Sequence, residues 1–132
     1  MKKAILCVDD EKTVLETLQR QLSTAFGKDY YYEMAESVVE AWEVIDDLVD
    51  QEYKVVLVIS DWLMPGEKGD TFLVNLHNKY PDSIKILLTG QANPEAVENA
   101  LENANLLAYI PKPWNVEKLI SSIQTGFDNL KS

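Results

Sequence analysis

Five polar residues of types that can bind phosphate and metal ions follow apolar runs along the chain. Asp9 and Asp10 come directly after one run, Asp61 and Thr89 end two later ones, and Lys112 stands just beyond the last. If these runs are parallel strands, their carboxyl ends lie at one edge of the sheet, where open α/β sheets bind their ligands. The spacing therefore predicts that three carboxylates, a hydroxyl and an ammonium group converge.

The chemistry that such a set favours is phosphoryl transfer assisted by a divalent cation. Three carboxylates close together repel and raise one another's pKa values, and an oxygen-binding cation such as Mg²⁺ relieves that repulsion. A lysine and a threonine beside the ion supply donors for an anion. Phosphoryl transfer is catalysed mostly by positioning and charge neutralisation, and an aspartate can accept the phosphoryl group covalently.

The apolar runs have the composition of buried strands. Val55–Ile59 is unbroken and rich in β-branched residues, which is typical of a strand covered on both faces in a parallel sheet. Ala4–Val8 and Ile84–Leu88 have the same character. We predict two further strands, at Tyr30–Met34, whose aromatic residues favour an edge strand, and at Leu106–Ile110.

Segments with helical periodicity separate these strands. Apolar residues recur at helical spacing after each strand, and Ser37, Asn93 and Asn115 are placed to cap the second, fourth and last helices. The only histidine, His77, falls on the third helix, where we expect it at the surface and not on a metal. Five strands alternating with five helices predict an α/β fold with helices on both faces of a parallel sheet. We find no linker or repeat, so the prediction is one domain, 1–132.

Composition limits the partners of the protein. The formal net charge of −10 repels phosphate backbones, so we expect no direct binding of nucleic acid or anionic membranes. No apolar stretch has the length of a membrane span, and the apolar run that follows Lys3 is too short for a signal peptide. The single cysteine, Cys7, lies in an apolar run and is expected to be a buried structural thiol. We expect a cytoplasmic protein.

Short motifs stand at the four strand ends that carry these polar residues. They are Val8-Asp9-Asp10, Ser60-Asp61 with Met64-Pro65-Gly66, Leu88-Thr89-Gly90, and Tyr109-Ile110-Pro111-Lys112-Pro113. In this order and spacing the chain resembles the receiver domain of two-component response regulators. The resemblance covers essentially the whole chain. It implies a flavodoxin-like (βα)5 domain with strand order 2-1-3-4-5.

The resemblance also implies roles for the acidic residues. Asp61 matches the phosphoacceptor of the family. Asp10 matches a direct Mg²⁺ ligand, Asp9 a ligand that acts mainly through water, and the backbone carbonyl of Leu63 a further ligand. The cofactor implied is therefore Mg²⁺, held by Asp9, Asp10, Asp61 and Leu63.

The remaining motif residues resemble the phosphate-binding and switch positions of the family. Thr89 matches the hydroxyl that binds the phosphoryl group, and Gly90 matches the small residue that leaves the site open and offers its N–H. Lys112 matches the phosphate-pairing lysine, with a cis peptide bond expected between Lys112 and Pro113. Tyr109 matches the aromatic residue that turns inward when Thr89 moves. Its alternative interpretation is an ordinary half-buried strand tyrosine.

The implied partners are a histidine kinase or a histidine phosphotransfer protein, and a downstream output domain or protein. The phrases LMPGEKGD, LLTGQA and KPW are reminiscent of receivers attached to cyclic-dinucleotide phosphodiesterase or cyclase outputs, so the chain is a stand-alone regulator or a fragment. Two alternatives remain. A haloacid-dehalogenase-type phosphatase needs an acid two residues after its nucleophile, where this chain has Leu63. A degenerate receiver would bind partners without phosphorylation, although all the expected site residues are present.

Overall fold

The fold is described from a computed structural model, for residues 2–91 and 93–130. Of the predicted domain 1–132, Met1, Ala92, Lys131 and Ser132 lie outside the described residues. The strands are β1 (Lys2–Val8), β2 (Tyr30–Ala35), β3 (Tyr53–Ser60), β4 (Ile84–Leu88) and β5 (Ala108–Ile110). The helices are α1 (Lys12–Phe26), α2 (Val38–Asp50), α3 (Gly69–Lys79), α4 (Pro94–Asn103) and α5 (Val116–Leu130), and a 3-10 turn (Gly27–Asp29) precedes β2.

The five strands form one parallel sheet in the order β2-β1-β3-β4-β5. This confirms the predicted α/β fold class and the strand order implied by the resemblance. The chain runs from β1 outward to β2 and then returns past β1 to β3, so the strand order reverses between β1 and β3. A crevice opens at the carboxyl ends of strands at such a reversal. Asp9 and Asp61 are the residues that follow β1 and β3.

Helices cover both faces of the sheet and enclose two cores. On one face α2, α3 and α4 bury apolar side chains such as Ile45, Phe72 and Ala100, and on the other face α1 and α5 bury Leu18 and Ile123. Within the part of the chain that the structure describes, no helix combines the length and apolarity needed to cross a membrane.

The central strand β1 contributes to both cores because its side chains alternate between the two faces. Ala4, Leu6 and Val8 belong to the first core, and Ile5 and Cys7 to the second. This explains why β1 is a continuous apolar run in the sequence. Burial raises the pKa of the Cys7 thiol to about 12, so the thiol stays protonated and unreactive, as expected from the sequence.

Helix starts follow the sequence closely. The side chains of Ser37, Asn93 and Asn115 each accept a hydrogen bond from the backbone N–H three residues further on, at 3.1, 2.7 and 3.0 Å. These bonds satisfy donors that have no partner within the helix. The three predicted caps are therefore confirmed.

Strand β5 is shorter than the predicted Leu106–Ile110. Leu106 belongs to the turn that ends α4, in which Asn105 has a φ of 52° and the Leu106 N–H reaches the carbonyl of Ala100. The Leu107 N–H donates to the carbonyl of Lys85 at 2.8 Å, but Leu107 lies outside the paired strand. Only Ala108–Ile110 pairs with β4. An apolar run alone does not show where such a turn stops and a strand begins.

A buried lysine lies near the amino end of β4, at the edge of the sheet opposite the acidic strand ends. Lys85 is 1% exposed, and its Nζ lies 3.0 Å from His77 Nδ1 and donates to the carbonyls of Ser83 and Pro81. Burial lowers the pKa of Lys85 to about 8, against the attraction of Asp82. The expected surface position of His77 is wrong in part: its ring is half-buried, and burial lowers its pKa too.

Replacement of Lys85 should change how the stability of the fold depends on pH. Unfolding returns Lys85 to water, so between pH 8 and 10.5 the unfolded chain binds more protons than the folded one. The free energy of unfolding of the wild type, relative to Lys85→Met, should therefore rise by up to about 3 kcal/mol through this window. Urea unfolding across the window measures this difference. Lys54→Met, at an exposed lysine of β3, is the control. Parallel curves for wild type and Lys85→Met would contradict the prediction.

Candidate functional site

The site is built on two carboxylates that stand side by side at the ends of β1 and β3. The Asp61 N–H donates to the carbonyl of Val8 at 2.9 Å, and the Asp9 N–H donates to the carbonyl of Ala35 at 3.0 Å. These bonds extend the parallel ladders one residue past the strands and fix both backbones. The side chains are almost inaccessible, with Asp9 1% and Asp61 6% exposed.

A third carboxylate completes an acidic cluster at the surface. Oxygens of Asp9, Asp10 and Asp61 all lie within 4.8 Å of one another, and Asp10 is exposed. Burial raises the pKa of the Asp9 carboxyl, and the charge of Asp61 adds to this effect. The bonds from Lys112 and from the Glu11 N–H to Asp9 offset it only in part.

One lysine reaches both buried carboxylates. The Nζ of Lys112 donates to Asp9 Oδ2 at 2.6 Å and to Asp61 Oδ2 at 3.2 Å. Burial lowers the pKa of the Lys112 ammonium, but its contacts with Asp9 and Asp61 outweigh burial and leave the pKa above its usual value. Three carboxylates against one ammonium leave the cluster with excess negative charge.

Backbone hydrogen bonds hold the β4 and β5 ends of the site together. The Thr89 N–H donates to the carbonyl of Ile110 at 3.1 Å, and the Lys112 N–H donates to the carbonyl of Thr89 at 3.3 Å. The expected cis peptide bond between Lys112 and Pro113 is present. Thr89 is buried, and its hydroxyl oxygen accepts from the Gln91 N–H at 3.3 Å.

A cleft of about 600 Å³ opens over the carboxylates. It is lined by Asp10, Asp61 and Lys112, by residues 63–66 of the loop after β3, and by residues 89–91. Asp61 Oδ1 accepts the N–H of Trp62 at 2.7 Å, so the carboxylate is oriented by its own loop. The arrangement offers a fixed carboxylate nucleophile, oxygen ligands for a cation, and an ammonium, all open to a substrate from one side.

Comparison with protein families matches residues 5–124 to the response regulator receiver domain. The chain belongs to this family. Receiver domains of this family act in two-component systems, and the family membership expected from the four motifs is confirmed.

Curated relatives of this receiver domain are larger proteins. The hydrogenase transcriptional regulatory protein HoxA of Bradyrhizobium diazoefficiens is 27% identical over 120 residues, which are 91% of this chain and 23% of HoxA. The sensor kinase CckA of Brucella abortus is 30% identical over 120 residues, which are 91% of this chain and 12% of CckA. This receiver domain therefore spans about a quarter or less of the length of the curated relatives it matches.

Solved receiver domains have the same fold as this chain over nearly its whole length. A CheY-like response regulator receiver domain protein from Methanospirillum hungatei JF-1 superposes with a TM-score of 0.86 at 29% identity, covering 99% of this chain and 98% of that one. The signal receiver domain of an HD domain-containing protein from Pseudomonas fluorescens Pf-5 gives 0.84 at 27% identity, covering 98% and 90%.

Most of the site residues predicted from the sequence meet in this receiver domain at one place. Those that border the cleft or its floor are Asp9, Asp10, Asp61, Leu63, Thr89, Gly90 and Lys112. Tyr109 stands apart: it pairs with Leu87 across β4 and β5, and it is 37% exposed. In this structure the tyrosine does not line the cleft.

Sequence reasoning missed the structural demand on Gly69. A Cβ on this residue would lie 1.9 Å from the backbone oxygen of Asp61 and 2.9 Å from Trp62 Cα, and the Gly69 N–H donates to the Trp62 carbonyl at 2.8 Å. Only glycine lets α3 start this close to the loop that carries Asp61. The sequence does contain one sign of this demand. Helix α3 starts after Lys68, which provides no capping side chain, and its first residue is Gly69, a residue type that disfavours helices.

Proposed function

We propose that this receiver domain accepts a phosphoryl group on Asp61 within a two-component phosphorelay. The observation that supports this most directly is the position of the Asp61 carboxylate at an open cleft, with the Lys112 ammonium 3.2 Å away and the oxygens of Asp9 and Asp10 beside it. A carboxylate nucleophile, an anion-binding lysine and a cation site are the parts that phosphoryl transfer to an aspartate requires.

The residues of the acidic cluster fit Mg²⁺. All of the available donors are oxygens, and the three carboxylates carry more charge than Lys112 balances. Mg²⁺ in proteins is commonly held by one or two carboxylates together with waters. We assign Asp10, Asp61 and the backbone carbonyl of Leu63 as direct ligands, and Asp9 as a ligand through water. When bound, the ion neutralises carboxylate and phosphoryl charge.

The phosphoryl donor would be a phosphohistidine of a histidine kinase or of a histidine phosphotransfer protein. One oxygen of Asp61 attacks phosphorus, the P–N bond breaks, and the imidazole leaves with the electron pair of that bond. Lys112 pairs with a phosphoryl oxygen, and the hydroxyl of Thr89 and the N–H of Gly90 donate to the others. The domain then catalyses only its own phosphotransfer and slow dephosphorylation, so it is a signalling module and not an enzyme with a separate substrate.

The proposed switch starts at Thr89. Its hydroxyl accepts a hydrogen bond from the Gln91 N–H. If the Thr89 side chain turned toward the phosphoryl group, the space behind Thr89 would become empty. Tyr109, on the neighbouring strand and 37% exposed, is placed to fill that space. The face formed by α4, β5 and α5 would change, and an output domain or protein would bind there.

The wider context of the domain is also a proposal. HoxA and CckA extend far beyond the matched segment, so we infer that the output acts through another domain or protein. The net charge of −10 opposes direct contact with nucleic acid. We place the domain, predicted as 1–132, in the cytoplasm, without membrane insertion.

Replacement of the phosphoacceptor should abolish modification while the fold persists. Asp61→Asn is nearly isosteric and removes a charge that its acidic neighbours repel. With acetyl phosphate and Mg²⁺, mass spectrometry should show one phosphoryl group on the wild type and on the control Asp82→Asn, and none on Asp61→Asn. Full modification of Asp61→Asn would refute the acceptor assignment. Continuous turnover without an acyl phosphate would support the phosphatase alternative, and an unmodified wild type would support a degenerate receiver.

Mg²⁺ should stabilise the fold by mass action. At ten times its dissociation constant it should add about 1.4 kcal/mol to the free energy of unfolding. The melting temperature should rise with Mg²⁺ in the wild type and in Asp82→Asn, but much less in Asp10→Ala, which lacks a direct ligand. A melting temperature that stays constant in the wild type, or rises equally in Asp10→Ala, would count against the metal site.

Lys112 should connect modification to the distant face. Without its ammonium, the phosphoryl group loses an ion pair that draws β5 and Thr89 toward the site. Lys112→Ala should therefore bind beryllofluoride at Asp61 but show smaller amide shift changes over residues 95–110 than the wild type. The control is Lys28→Ala, at an exposed lysine outside the site. An equal response in Lys112→Ala would show that Lys112 is not the transmitter.

A further inference from the structure

A chain of hydrogen bonds leads from Asp61 through Trp62 and Asp70 to helix α4. The backbone N–H of Trp62 donates to Asp61 Oδ1 at 2.7 Å, and its indole Nε1 donates to Asp70 Oδ1 at 2.9 Å. The other oxygen of Asp70 accepts from Asn99 Nδ2 on α4 at 2.9 Å. Trp62 is thus held at one end by the proposed acceptor and at the other by α3 and α4.

Asp70 is an unusual residue at the centre of this chain. It is 9% exposed, and within residues 2–91 and 93–130 no basic side chain lies at ion-pairing distance from it. A carboxylate with so little exposure is costly unless its oxygens are hydrogen-bonded. Both oxygens are occupied, by donors from the loop after β3 and from α4, so the buried Asp70 side chain joins these two segments to α3.

Asn99 makes a second hydrogen bond, within α4. Asn99 Oδ1 accepts from Asn103 Nδ2, one turn along α4, at 2.8 Å. Because the carboxylate of Asp70 only accepts, the NH₂ group of Asn99 faces Asp70, and Asn99 Oδ1 is left to accept from Asn103. The polarity of the whole chain is therefore defined.

We infer that Asp70 is a positioning residue that holds α4 in the resting arrangement for as long as Asp61 is unmodified. This inference rests on the proposed function and adds a second connection to it. The connection through Thr89 and Tyr109 reaches the changing face from β5, whereas the bonds of Asp70 reach it from α3.

Modification of Asp61 would weaken the first bond of the chain. Forming an acyl phosphate converts a carboxylate into a carbonyl and an ester oxygen, so the N–H of Trp62 no longer donates to an anion. Trp62 is then held less firmly at this end, and the indole bond to Asp70 is strained. Asp70 in turn is held firmly only by the donor from Asn99, and α4 is released to adopt its second arrangement.

Breaking the chain by mutation should therefore favour the activated arrangement without any phosphoryl group. Coupling between two sites is reciprocal, so a protein that is already released should also bind a phosphoryl mimic more tightly. A purely structural role for Asp70 at the start of α3, where an acid favours the helix dipole, predicts lower stability and neither of these effects.

The sharpest test exchanges the two polar partners. Asn99→Asp alone sets a carboxylate against Asp70, whereas Asp70→Asn alone keeps every bond only if the amides of Asn99 and Asn103 both turn over. The double variant Asp70→Asn with Asn99→Asp restores every bond. Its amide oxygen at position 70 accepts from Trp62, and the NH₂ group of that amide donates to the new carboxylate at position 99, which still accepts from Asn103. Asn99→Ala removes one donor with little other disturbance. Asn78→Asp adds an exposed charge on α3 as a control.

The measurement is a titration of each variant with beryllofluoride and Mg²⁺, followed through backbone amide shifts. In Asn99→Asp and Asn99→Ala, the α4 amides should lie nearer the wild-type bound positions before any addition. The apparent beryllofluoride affinity of these variants should rise about fivefold, the lower range of a typical coupling. The double variant and Asn78→Asp should behave as the wild type. Urea unfolding of every variant separates these effects from a general loss of stability.

The outcomes distinguish this inference from the proposed function. If wild-type amides near Asp61 do not respond to beryllofluoride, the proposed function fails. If they respond, but Asn99→Asp and Asn99→Ala match the wild type in resting shifts and affinity, the role of Asp70 is overturned while the proposed function stands. The role of Asp70 is likewise overturned if Asn99→Asp is altered and the double variant shows no recovery relative to it.

Discussion

Two carboxylates held side by side out of water are the constraint on which this structure depends. Asp9 and Asp61 follow the two strands between which the sheet order reverses, and backbone bonds to Ala35 and Val8 fix them there. Burial of two like charges is costly unless opposite charge is supplied. Lys112, which follows the edge strand β5, supplies part of this opposite charge. Because its ammonium must reach both carboxylates, the end of β5 has to lie close to the ends of β1 and β3.

The sequence was informative wherever one residue type repeats or a run ends abruptly. Unbroken apolar runs marked the strands because both faces of the sheet are covered, and the periodicity of residues such as Leu18 and Ile123 marked the helices that cover them. Polar residues placed immediately after those runs then had to share one edge of a parallel sheet. That argument and the family resemblance were enough to predict that Asp9, Asp61 and Lys112 lie close together.

Contacts between side chains from separate elements were beyond that reasoning. Lys85 of β4 contacts His77 near the end of α3, and Asp70 joins Trp62 to Asn99. The positions of these residues in the sequence give no indication that they are in contact. Such contacts depend on how far two helices stand apart and on which rotamer a long side chain adopts. The closeness of α3 to the Asp61 carbonyl was hidden for the same reason.

Strand β5 has three residues and, among residues 2–91 and 93–130, pairs with β4 alone. An edge strand this short offers few free N–H and C=O groups, so it is a poor template for adding a strand from another protein. Any partner bound at this edge would therefore have to be recognised through side chains. Because exposed side chains can be exchanged with little effect on folding, related proteins with this architecture can acquire different partners, and avoid one another's, without rebuilding the sheet beneath.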